Sequence, residues 1–424
     1  MKSILLSFKQ SEFNKNVLTL LTGTTVSQAL PILISPILTR FYSPEDFGLV
    51  ALFLSIVSVF SIVASLQYEN AILLPEQDED AVNIVGLCLF LAIIMTFVSV
   101  IAVVFFNGLL CELLGSNQIS TWLYFVPIMV FLTGVYNVFN FYNLRKKKYK
   151  RLAIRQVASS SSTSVLKLAL GFLGYIKSGL IMGTIIGQSI STLVLMALTL
   201  KEDKNKMLRI NKETVKINAK RYQDFPKYTA LHSLFDVFKN SSLFVLVTQF
   251  FSAFTLGLFS FAIGMLQKPM SIIGSSVNQV FFQEASFAYA NNQDLWPITK
   301  KALLKLLVIA VPMFSIIILF GPWLFEFVFG EKWREAGVYA QLMSPWLMAN
   351  FISSPISSIP SILNKQRNYM LIGVLFNLLL PGTFFVFATF SGSFNLSLLG
   401  MSILASLYLF GNIIWMYRLI KNQN

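Results

Sequence analysis

Charged residues, histidine and cysteine are all scarce in this sequence of 424 residues. Asp, Glu, Lys and Arg make up 12% of the chain, whereas a soluble domain of ordinary composition carries roughly a quarter. The single histidine and the two cysteines form no CxxC or Cys/His motif, which argues against a zinc site and a disulfide framework. We expect Cys88 inside an apolar run and Cys111 in an outer loop. A glycine-rich phosphate-binding motif is also missing, so ATP is not the direct energy source.

Apolar residues dominate instead. Hydrophobic side chains make up 55% of the chain, phenylalanine alone occurs 40 times, and the mean hydropathy is +0.68. Runs of about 20 apolar residues can cross a hydrocarbon core of about 30 Å as helices. The sequence therefore predicts an all-α polytopic membrane protein. About twelve transmembrane helices are expected, at residues 17–38, 47–68, 82–106, 121–143, 152–174, 178–200, 228–251, 256–280, 303–323, 340–363, 370–390 and 396–417.

The positive charges collect on one side of this topology. With an even number of spans, both termini share a side with the run LRKKKYKR at 144–151 and the basic segment 201–227. The opposite loops hold only Arg40, Lys177, Lys332 and Arg334. By the positive-inside rule both termini face the cytoplasm, and the net charge of +14 marks topology rather than a nucleic-acid surface. The first sixteen residues show no removable signal peptide.

The fifth apolar run, 152–174, is the most polar of the twelve. It contains Arg155, a serine-rich stretch at 159–164, and Lys167. If this run did not cross the membrane, the basic segment 201–227 would fall on the outer side, so the charge rule favours a crossing.

A short stretch after the first span recurs in the second half of the chain. TRFYSPEDFGL at 39–49 and TQFFSAFTLGL at 248–258 align without a gap, with Gly48 opposite Gly257. In each copy the stretch joins the first two spans of a six-span half, which predicts a parallel repeat of the kind found in secondary transporters. The predicted domains are an N-terminal six-helix lobe at 1–200, a basic cytoplasmic linker at 201–227 and a C-terminal six-helix lobe at 228–424.

Two motifs have structural explanations. Ser43 can cap the second helix, Pro44 suits its first position, and Asp46 completes a capping-box-like pattern. The second copy keeps the serine, as Ser252, and loses the acids. In the sixth span a four-residue spacing of small residues predicts the close approach of another helix, at Gly179, Gly183 and Gly187.

Two stretches resemble a known family: LTRFYSPEDFG at 38–48, and LQYENAI at 66–72 followed by acids. With the twelve spans and the basic central loop, they are similar to the Wzx-type oligosaccharide flippases of the multidrug/oligosaccharidyl-lipid/polysaccharide exporter superfamily. The resemblance covers essentially the whole chain. It implies two lobes around a cavity that opens alternately to each side of a bacterial inner membrane, without a cofactor.

The same resemblance implies a substrate. Proteins of this family move undecaprenyl-diphosphate-linked oligosaccharide repeat units from the cytoplasmic to the periplasmic leaflet, for O-antigen, capsule or exopolysaccharide assembly. A polysaccharide polymerase and chain-length proteins are the implied partners. Nothing in the composition itself identifies the sugar or the lipid.

Ionisable side chains inside the spans are candidates for the transport pathway, because such a charge costs roughly 2.5 to 3.5 kcal/mol on insertion scales. Four are cations: Arg155, Lys167, Lys239 and Lys268. Their excess over acids suits an anionic substrate such as a diphosphate. Arg155 could instead snorkel to the nearer interface. Lys268 could pair with a backbone carbonyl at a kink caused by Pro269.

The seventh span places His232, Asp236 and Lys239 four and three residues apart, on one helix face. Either Asp236 and Lys239 neutralise each other and hold helices together, or protonation of Asp236 or His232 frees Lys239 for an anion. Two further candidates lie near the ends of spans. Glu69 is a candidate for ion coupling, and Arg40 either lines the outer mouth of the cavity or has a structural role at the helix end.

Other classes of protein fit the sequence less well. An enzyme would need catalytic groups that one histidine and short outer loops do not supply. A drug or small-solute antiporter of related fold is the main rival, but we would expect acids in its first span, and residues 17–39 contain none. A major facilitator transporter should carry a characteristic loop motif between its second and third spans, but the sequence there is PEQDED at 75–80. A non-transporting scaffold would need its intramembrane charges only for structural pairing.

Overall fold

The structure of the protein is a computed structural model that describes residues 2–207, 210–363 and 365–422, with side chains from Thr22 onward. These residues are predominantly helical and contain no β-strand. The helices of the first half are α1 (Lys2–Phe41), α2 (Pro44–Val63), α3 (Asp78–Leu113), α4 (Ser120–Leu123), α5 (Val126–Arg145), α6 (Tyr149–Phe172) and α7 (Ile176–Met207). Those that follow are α8 (Lys212–Arg221), α9 (Ala230–Phe250), α10 (Ala253–Ala290), α11 (Trp296–Phe329), α12 (Arg334–Ser353), α13 (Ile359–Ile362), α14 (Gln366–Ser391) and α15 (Phe394–Lys421).

Twelve of the helices in the described ranges have 20 residues or more, and each overlaps one predicted span. Seven of them are long and apolar enough to cross a membrane by length and composition: α2, α3, α7, α10, α11, α14 and α15. An eighth span results if α5 is joined to the short segment before it. The other four are α1, α6, α9 and α12. Two of these, α6 and α9, carry most of the candidate charges, and those charges are one cause of their lower hydropathy.

Two predicted spans are interrupted, and proline explains both interruptions. The fourth span bends by 52° between α4 and α5, where Pro127 lies in the first turn of α5. The tenth span ends as α12 at Ser353, and a 3-10 turn at Pro355–Ser358 leads into α13 with Pro360 in its first turn. Proline lacks the amide hydrogen that continues a helix, so it begins a new segment instead.

The basic segment 201–227 was predicted as a linker, and most of it is helical. It contains the end of α7 and the whole of α8, whose start is capped by the Asn211 side chain accepting from the Glu213 N–H at 2.9 Å. Apolar residues recur at helical spacing among the charges and pack on a buried cluster, at Val215, Ala219 and Tyr222. The prediction that Cys111 lies in an outer loop is wrong, because this residue is buried in the last turn of α3.

The packing of the helices divides the chain into two units. Unit 1 is the chain up to Tyr42 with Leu49–Ser241, and unit 2 is Ser43–Gly48 with the chain from Ser242. Within unit 1, α6 packs against both α1 and α7, and α3 packs against α5. Within unit 2, α12 packs against α10, α11 and α15. The lobes predicted at 1–200 and 228–424 remain predictions about functional domains.

The recurring stretch begins a helix in both copies. The Ser43 N–H donates to Asp46 Oδ2 at 2.8 Å, and the Asp46 N–H donates to Ser43 Oγ at 3.3 Å. This reciprocal pair is a capping box. In the second copy, the Thr255 N–H donates to Ser252 Oγ at 3.0 Å. The predicted capping role is confirmed in both places.

The glycines of the two copies lie against each other's backbone within unit 2. A Cβ atom on Gly48 would lie 1.9 Å from the carbonyl oxygen of Ala253, and one on Gly257 would lie 1.6 Å from that of Pro44. Only glycine permits so close an approach of two backbones. The recurrence therefore has a structural reason, because each copy supplies one side of a contact between helix starts.

Candidate functional site

Helix α6 carries two of the predicted cations, and polar contacts with α1 fix its position. Thr24 Oγ1 donates to Gln156 Oε1 at 3.1 Å, and the Ser160 hydroxyl donates to the Ser27 carbonyl at 2.6 Å. Polar groups at membrane depth need such partners. The serine-rich stretch of the fifth span thus contacts protein, which explains how so polar a helix is accommodated.

Arg155 lies on α6 against an aromatic ring of α5. Its guanidinium carbon is 4.3 Å from the centre of the Tyr136 ring, which is a cation–π contact. The Tyr136 hydroxyl donates to Asn140 Oδ1 at 3.2 Å. The Nε atom of Arg155 is buried and has no hydrogen-bond partner among the described residues. The half-buried arginine therefore rests on a ring rather than pairing with an acid, and its unpaired N–H suits an anionic acceptor.

Lys167 lies where α6, α7 and the end of α1 converge. The Tyr42 hydroxyl donates to the Lys167 carbonyl at 2.7 Å. A Cβ atom on Gly183 would lie 2.7 Å from Lys167 Cγ, and one on Gly179 would lie 2.2 Å from the Tyr42 hydroxyl. The close helix approach predicted for these glycines and for Gly187 is confirmed. The lysine side chain is half-buried, with its stem against α7.

The first half of α9 belongs to unit 1 and carries three candidate residues. His232 Nδ1 is 3.4 Å from Asp236 Oδ2, and their side chains are 45% and 52% exposed. Lys239 is half-buried on the same helix. The Ser241 hydroxyl donates to the Ser55 carbonyl at 3.2 Å and fixes this part of α9 on α2. The structure thus pairs Asp236 with His232 within one helix face.

Lys268 is the candidate cation of unit 2. Helix α10 continues as one element through Pro269. The Lys268 carbonyl accepts a hydrogen bond from the Ser271 hydroxyl at 2.8 Å. The side chain is half-buried, and no acid of the described residues forms an ion pair with it. Lys268 is therefore a half-buried cation that no described acid neutralises.

Arg40 and Glu69 differ in exposure. Arg40 is exposed in the last turn of α1, where a cation is stabilised by the helix dipole. Glu69 is 2% exposed in the 3-10 turn between α2 and α3, and its carboxylate accepts a hydrogen bond from Ser65. Burial raises the pKa of the Glu69 carboxyl, and the Ser65 bond opposes part of that rise. Glu69 is therefore a buried acid with a raised pKa, the kind of group that takes up a proton readily.

The LQYENAI stretch connects this acid to the linker helix. Leu66 and Gln67 adopt left-handed backbone angles with φ of 50° and 62°. The Tyr68 hydroxyl donates to the Ala219 carbonyl of α8 at 2.9 Å. A tight turn and a tyrosine anchor thus account for part of the motif structurally.

The basic run at 144–151 is paired with acids of unit 1. Asp78 contacts Lys146, and lies 3.5 Å from Arg145 Nε and 3.3 Å from Lys206 Nζ. The hydrogen bond from Lys146 is the main cause that lowers the pKa of Asp78 from its ordinary value of 3.8 to about 2. The run predicted as a topology signal therefore also holds α3, α5 and α7 together at this end.

Of the predicted candidates, the structure brings His232 and Asp236 into contact. Arg155 and Lys167 lie twelve residues apart on α6, about 18 Å at 1.5 Å per residue. Arg155 and Lys167 therefore do not form one compact cluster on α6.

Sequence reasoning missed a neutral polar cavity in unit 2, with a volume of about 300 Å³ between α10 and the end of α12. Its polar lining consists of Gln267, Ser271, Ser275, Asn278, Asn350 and Ser354. The four residues of α10 are spaced four, four and three apart inside an apolar span, which places them on one helix face. That spacing is the signal that could have identified them.

Comparisons with known proteins identify the fold. A family model described as “Polysaccharide biosynthesis protein” matches residues 37–338. Among curated proteins, none matches the sequence. Solved structures are similar to the chain over nearly its whole length, and three of them illustrate the range.

A multidrug resistance MATE family transporter of the MOP superfamily in its inward-facing conformation has a TM-score of 0.66 at 14% identity, covering 95% of both chains. The outward-facing conformation of such a transporter has a TM-score of 0.60 at 14% identity, covering 96% of both chains. A Vibrio cholerae MATE transporter has a TM-score of 0.58 at 11% identity, covering 98% of this chain and 97% of its own. The predicted all-α polytopic fold, with about twelve transmembrane helices in two lobes, is confirmed.

Proposed function

Because the chain belongs to the polysaccharide biosynthesis protein family of membrane transporters, we propose that it is a lipid-linked oligosaccharide flippase. It translocates undecaprenyl-diphosphate-linked repeat units from the cytoplasmic to the periplasmic leaflet by alternating access. The product serves the assembly of O-antigen, capsule or exopolysaccharide. This finer role goes beyond the family membership, and it is supported by the charges of the long helices.

The observation that carries the proposal is that two half-buried cations, Arg155 and Lys268, form no ion pair with a described acid. Arg155 rests on the Tyr136 ring, and Lys268 forms no ion pair with a described acid. Lys and Arg at membrane depth are costly, and a diphosphate offers them charge-assisted hydrogen bonds. An exporter of cationic drugs would be expected to present acids instead.

In the proposed mechanism, Arg155, Lys167, Lys239 and Lys268 attract the diphosphate and sugar headgroup while the lipid tail stays in the bilayer. Alternation between inward-open and outward-open states then presents the headgroup to the other leaflet. Similar transporters have been solved in inward-facing and outward-facing conformations. Arg40 contributes at the outer end of α1, where it meets the headgroup late in the cycle.

Proton coupling is the proposed role of the acids and the histidine. His232 and Asp236 are in contact and partly exposed, so water and ions can reach them. Protonation of this pair removes the negative charge near Lys239 and leaves the lysine to the diphosphate. Glu69 is a second proton site, because it is a buried acid whose carboxylate accepts a hydrogen bond from Ser65.

The proposal places the protein in a bacterial inner membrane with both termini in the cytoplasm. The bias of Lys and Arg toward the segments 144–151 and 201–227 supports this orientation. A polysaccharide polymerase and chain-length proteins are the proposed partners, since they would consume the flipped substrate.

The alternative is an ion-coupled drug or small-solute antiporter. The similarity to multidrug MATE transporters favours it. Against it, residues 17–39 contain no acid to bind a cationic drug or a coupling cation.

A reconstituted flipping assay tests the proposal. Proteoliposomes receive a fluorescent undecaprenyl-diphosphate oligosaccharide, and a membrane-impermeant quencher reports its leaflet. Lys167→Gln and Lys268→Gln should each slow flipping about tenfold or more, because a hydrogen bond to a charged group contributes roughly 1.5–3 kcal/mol and 1.4 kcal/mol is a factor of ten. Lys177→Gln is the matched control, since Lys177 is exposed at the start of α7.

The outcome separates the two functions. If the wild type flips the lipid, and both lysine substitutions slow flipping while Lys177→Gln does not, the result supports the flippase. Wild-type rates in both variants would remove the cationic pathway from the proposal. Transport of a cationic dye without flipping of the lipid would favour the antiporter.

A further inference from the structure

The neutral polar cavity of unit 2 has no role in the mechanism above. Its volume of about 300 Å³ lies at the lower end of the range of roughly 300 to 1,000 Å³ found for small-molecule sites. None of the nine described residues that line it carries a charge. The cavity is therefore chemically distinct from the cationic positions.

Four of the six polar side chains of this cavity come from one helix that can span the membrane. Gln267, Ser271, Ser275 and Asn278 belong to the middle of α10, a helix long and apolar enough to span the membrane. Polar groups at membrane depth face protein or a water-filled space, since lipid cannot satisfy them. One face of an otherwise apolar helix is thus committed to polar contacts.

The hydrogen-bond inventory of the cavity is mixed. The three serine hydroxyls donate to carbonyls of their own chain segments, Ser271 to Lys268 at 2.8 Å, Ser275 to Ile272 at 3.1 Å and Ser354 to Phe351 at 2.9 Å. Their oxygens consequently remain acceptors. The amides of Gln267, Asn278 and Asn350 supply both donors and acceptors. Asn278 Oδ1 is buried and has no hydrogen-bond partner among the described residues.

The rest of the lining is apolar, and a glycine leaves space between α10 and Ser354. Phe351 is 1% exposed and Met270 is 5% exposed, and both line the cavity. Gly274 lies between the two serines of α10, and a Cβ atom there would be 3.2 Å from Ser354 Oγ. A larger residue would narrow the space between α10 and Ser354. Lys268 lies one turn away and shares a hydrogen bond with Ser271.

We propose that this cavity binds a neutral sugar ring of the transported headgroup, while the neighbouring Lys268 takes the phosphate. The inference rests on the proposed flippase function and adds a saccharide subsite to it. Hydroxyl and acetamido groups of a sugar match alternating acceptors and amide donors, and an apolar wall suits the C–H face of the ring. A phosphate inside the cavity would lack cations, and an acyl chain would leave Asn278 unpaired.

Binding to the purified protein in nanodiscs tests the subsite with two probes. One is undecaprenyl diphosphate carrying a single N-acetylglucosamine, and the other is undecaprenyl diphosphate without sugar. The wild type should bind the sugar-bearing lipid about tenfold more tightly, because the sugar gains hydrogen bonds in the cavity that the sugar-free lipid does not make. Asn278→Leu should abolish this preference and leave affinity for the sugar-free lipid unchanged.

Two further variants keep the result interpretable. Asn350→Leu alters the opposite wall from an exposed position on α12 and should also abolish the preference, even if Asn278→Leu fails to fold. Gln283→Leu is the matched control, because Gln283 is an exposed amide of α10 outside the cavity. It should keep the preference.

The outcomes distinguish the subsite from the flippase itself. An unchanged preference in Asn278→Leu and Asn350→Leu would overturn the saccharide subsite and leave the flippase standing. Equal wild-type affinity for the two lipids would also overturn the subsite. Binding of neither lipid by the wild type would overturn the flippase and, with it, the subsite.

Discussion

Replacing Gly48 with alanine should destabilise unit 2, because the new Cβ atom would lie 1.9 Å from the Ala253 carbonyl oxygen. Ordinary van der Waals contact begins at 3.4 Å, so the two helix starts must separate by about 1.5 Å, the difference of these distances. The corresponding shift for Gly257→Ala is about 1.8 Å, from 1.6 Å at Pro44. The obstacle is backbone in both cases, so no side-chain rotation relieves it.

The magnitude follows from two opposing effects. Overpacking of a closely packed contact typically costs 1–3 kcal/mol of folding free energy. Because backbone cannot rotate away as a side chain can, the cost for these variants should lie at the upper end, about 3 kcal/mol. Alanine regains about 1 kcal/mol of helix propensity over glycine. The net loss of about 2 kcal/mol corresponds to a fall in Tm of roughly 4–8 °C for a unit of this size.

Thermal unfolding of the purified protein in detergent, followed by intrinsic fluorescence, measures this loss. Gly264→Ala is the control on α10, since a Cβ atom there meets nothing within 4 Å. The double variant Gly48→Ala with Gly257→Ala should lose less than the sum of the single losses, because both changes open the same contact. Equal stability of Gly48→Ala, Gly257→Ala and Gly264→Ala would refute the role of the glycine contact.

Three further predictions concern charged and aromatic groups. Asp78→Asn should lower thermal stability at neutral pH. Because the pKa of Asp78 in the folded protein is lowered to about 2, the difference in stability from the wild type should persist above about pH 4 and vanish as the pH falls toward 2. A difference in stability that does not depend on pH would contradict this prediction. Tyr136→Leu should destabilise unit 1 by about 0.5–2 kcal/mol through loss of the cation–π contact with Arg155, whereas Tyr136→Phe should retain most of that stability in the same unfolding measurement. Asp236→Asn and His232→Ala should each flatten the pH dependence of flipping if this pair carries the coupled proton, and an unaltered pH profile in both would exclude the pair from coupling.

Seven of the twelve long helices are apolar enough to be recognised as spans from local sequence alone, whereas the crossing by the more polar α6 was predicted from the charge rule. About twenty apolar residues identify a span without knowledge of its neighbours. The capping box at Ser43 and Asp46 is equally local, since both partners lie within four residues. The bend before α5 and the end of α12 were missed, although Pro127 and Pro355 mark them, because a hydropathy window averages over a single proline.

The candidate site was predictable in part. Charges in apolar runs identified the cations, since each is exceptional in its own window. The ring beneath Arg155 was not identified, because Tyr136 is an ordinary residue of another helix until the fold brings the two together. The polar cavity combines α10 with the end of α12, residues 72 or more positions apart, such as Asn278 and Asn350. Its α10 half shows a helical spacing of polar residues, but its other half depends on packing alone.

The most direct measurement of the central claim is the leaflet assignment of lipid-linked sugar in cells depleted of this protein. A membrane-impermeant enzyme or label added to spheroplasts reports which intermediates are accessible from outside. A lipid-linked oligosaccharide flippase predicts accumulation of undecaprenyl-diphosphate oligosaccharide that the probe cannot reach, reversed when the wild-type chain is restored. Fully accessible intermediates at unchanged abundance after depletion would contradict the account and shift it to the small-solute antiporter.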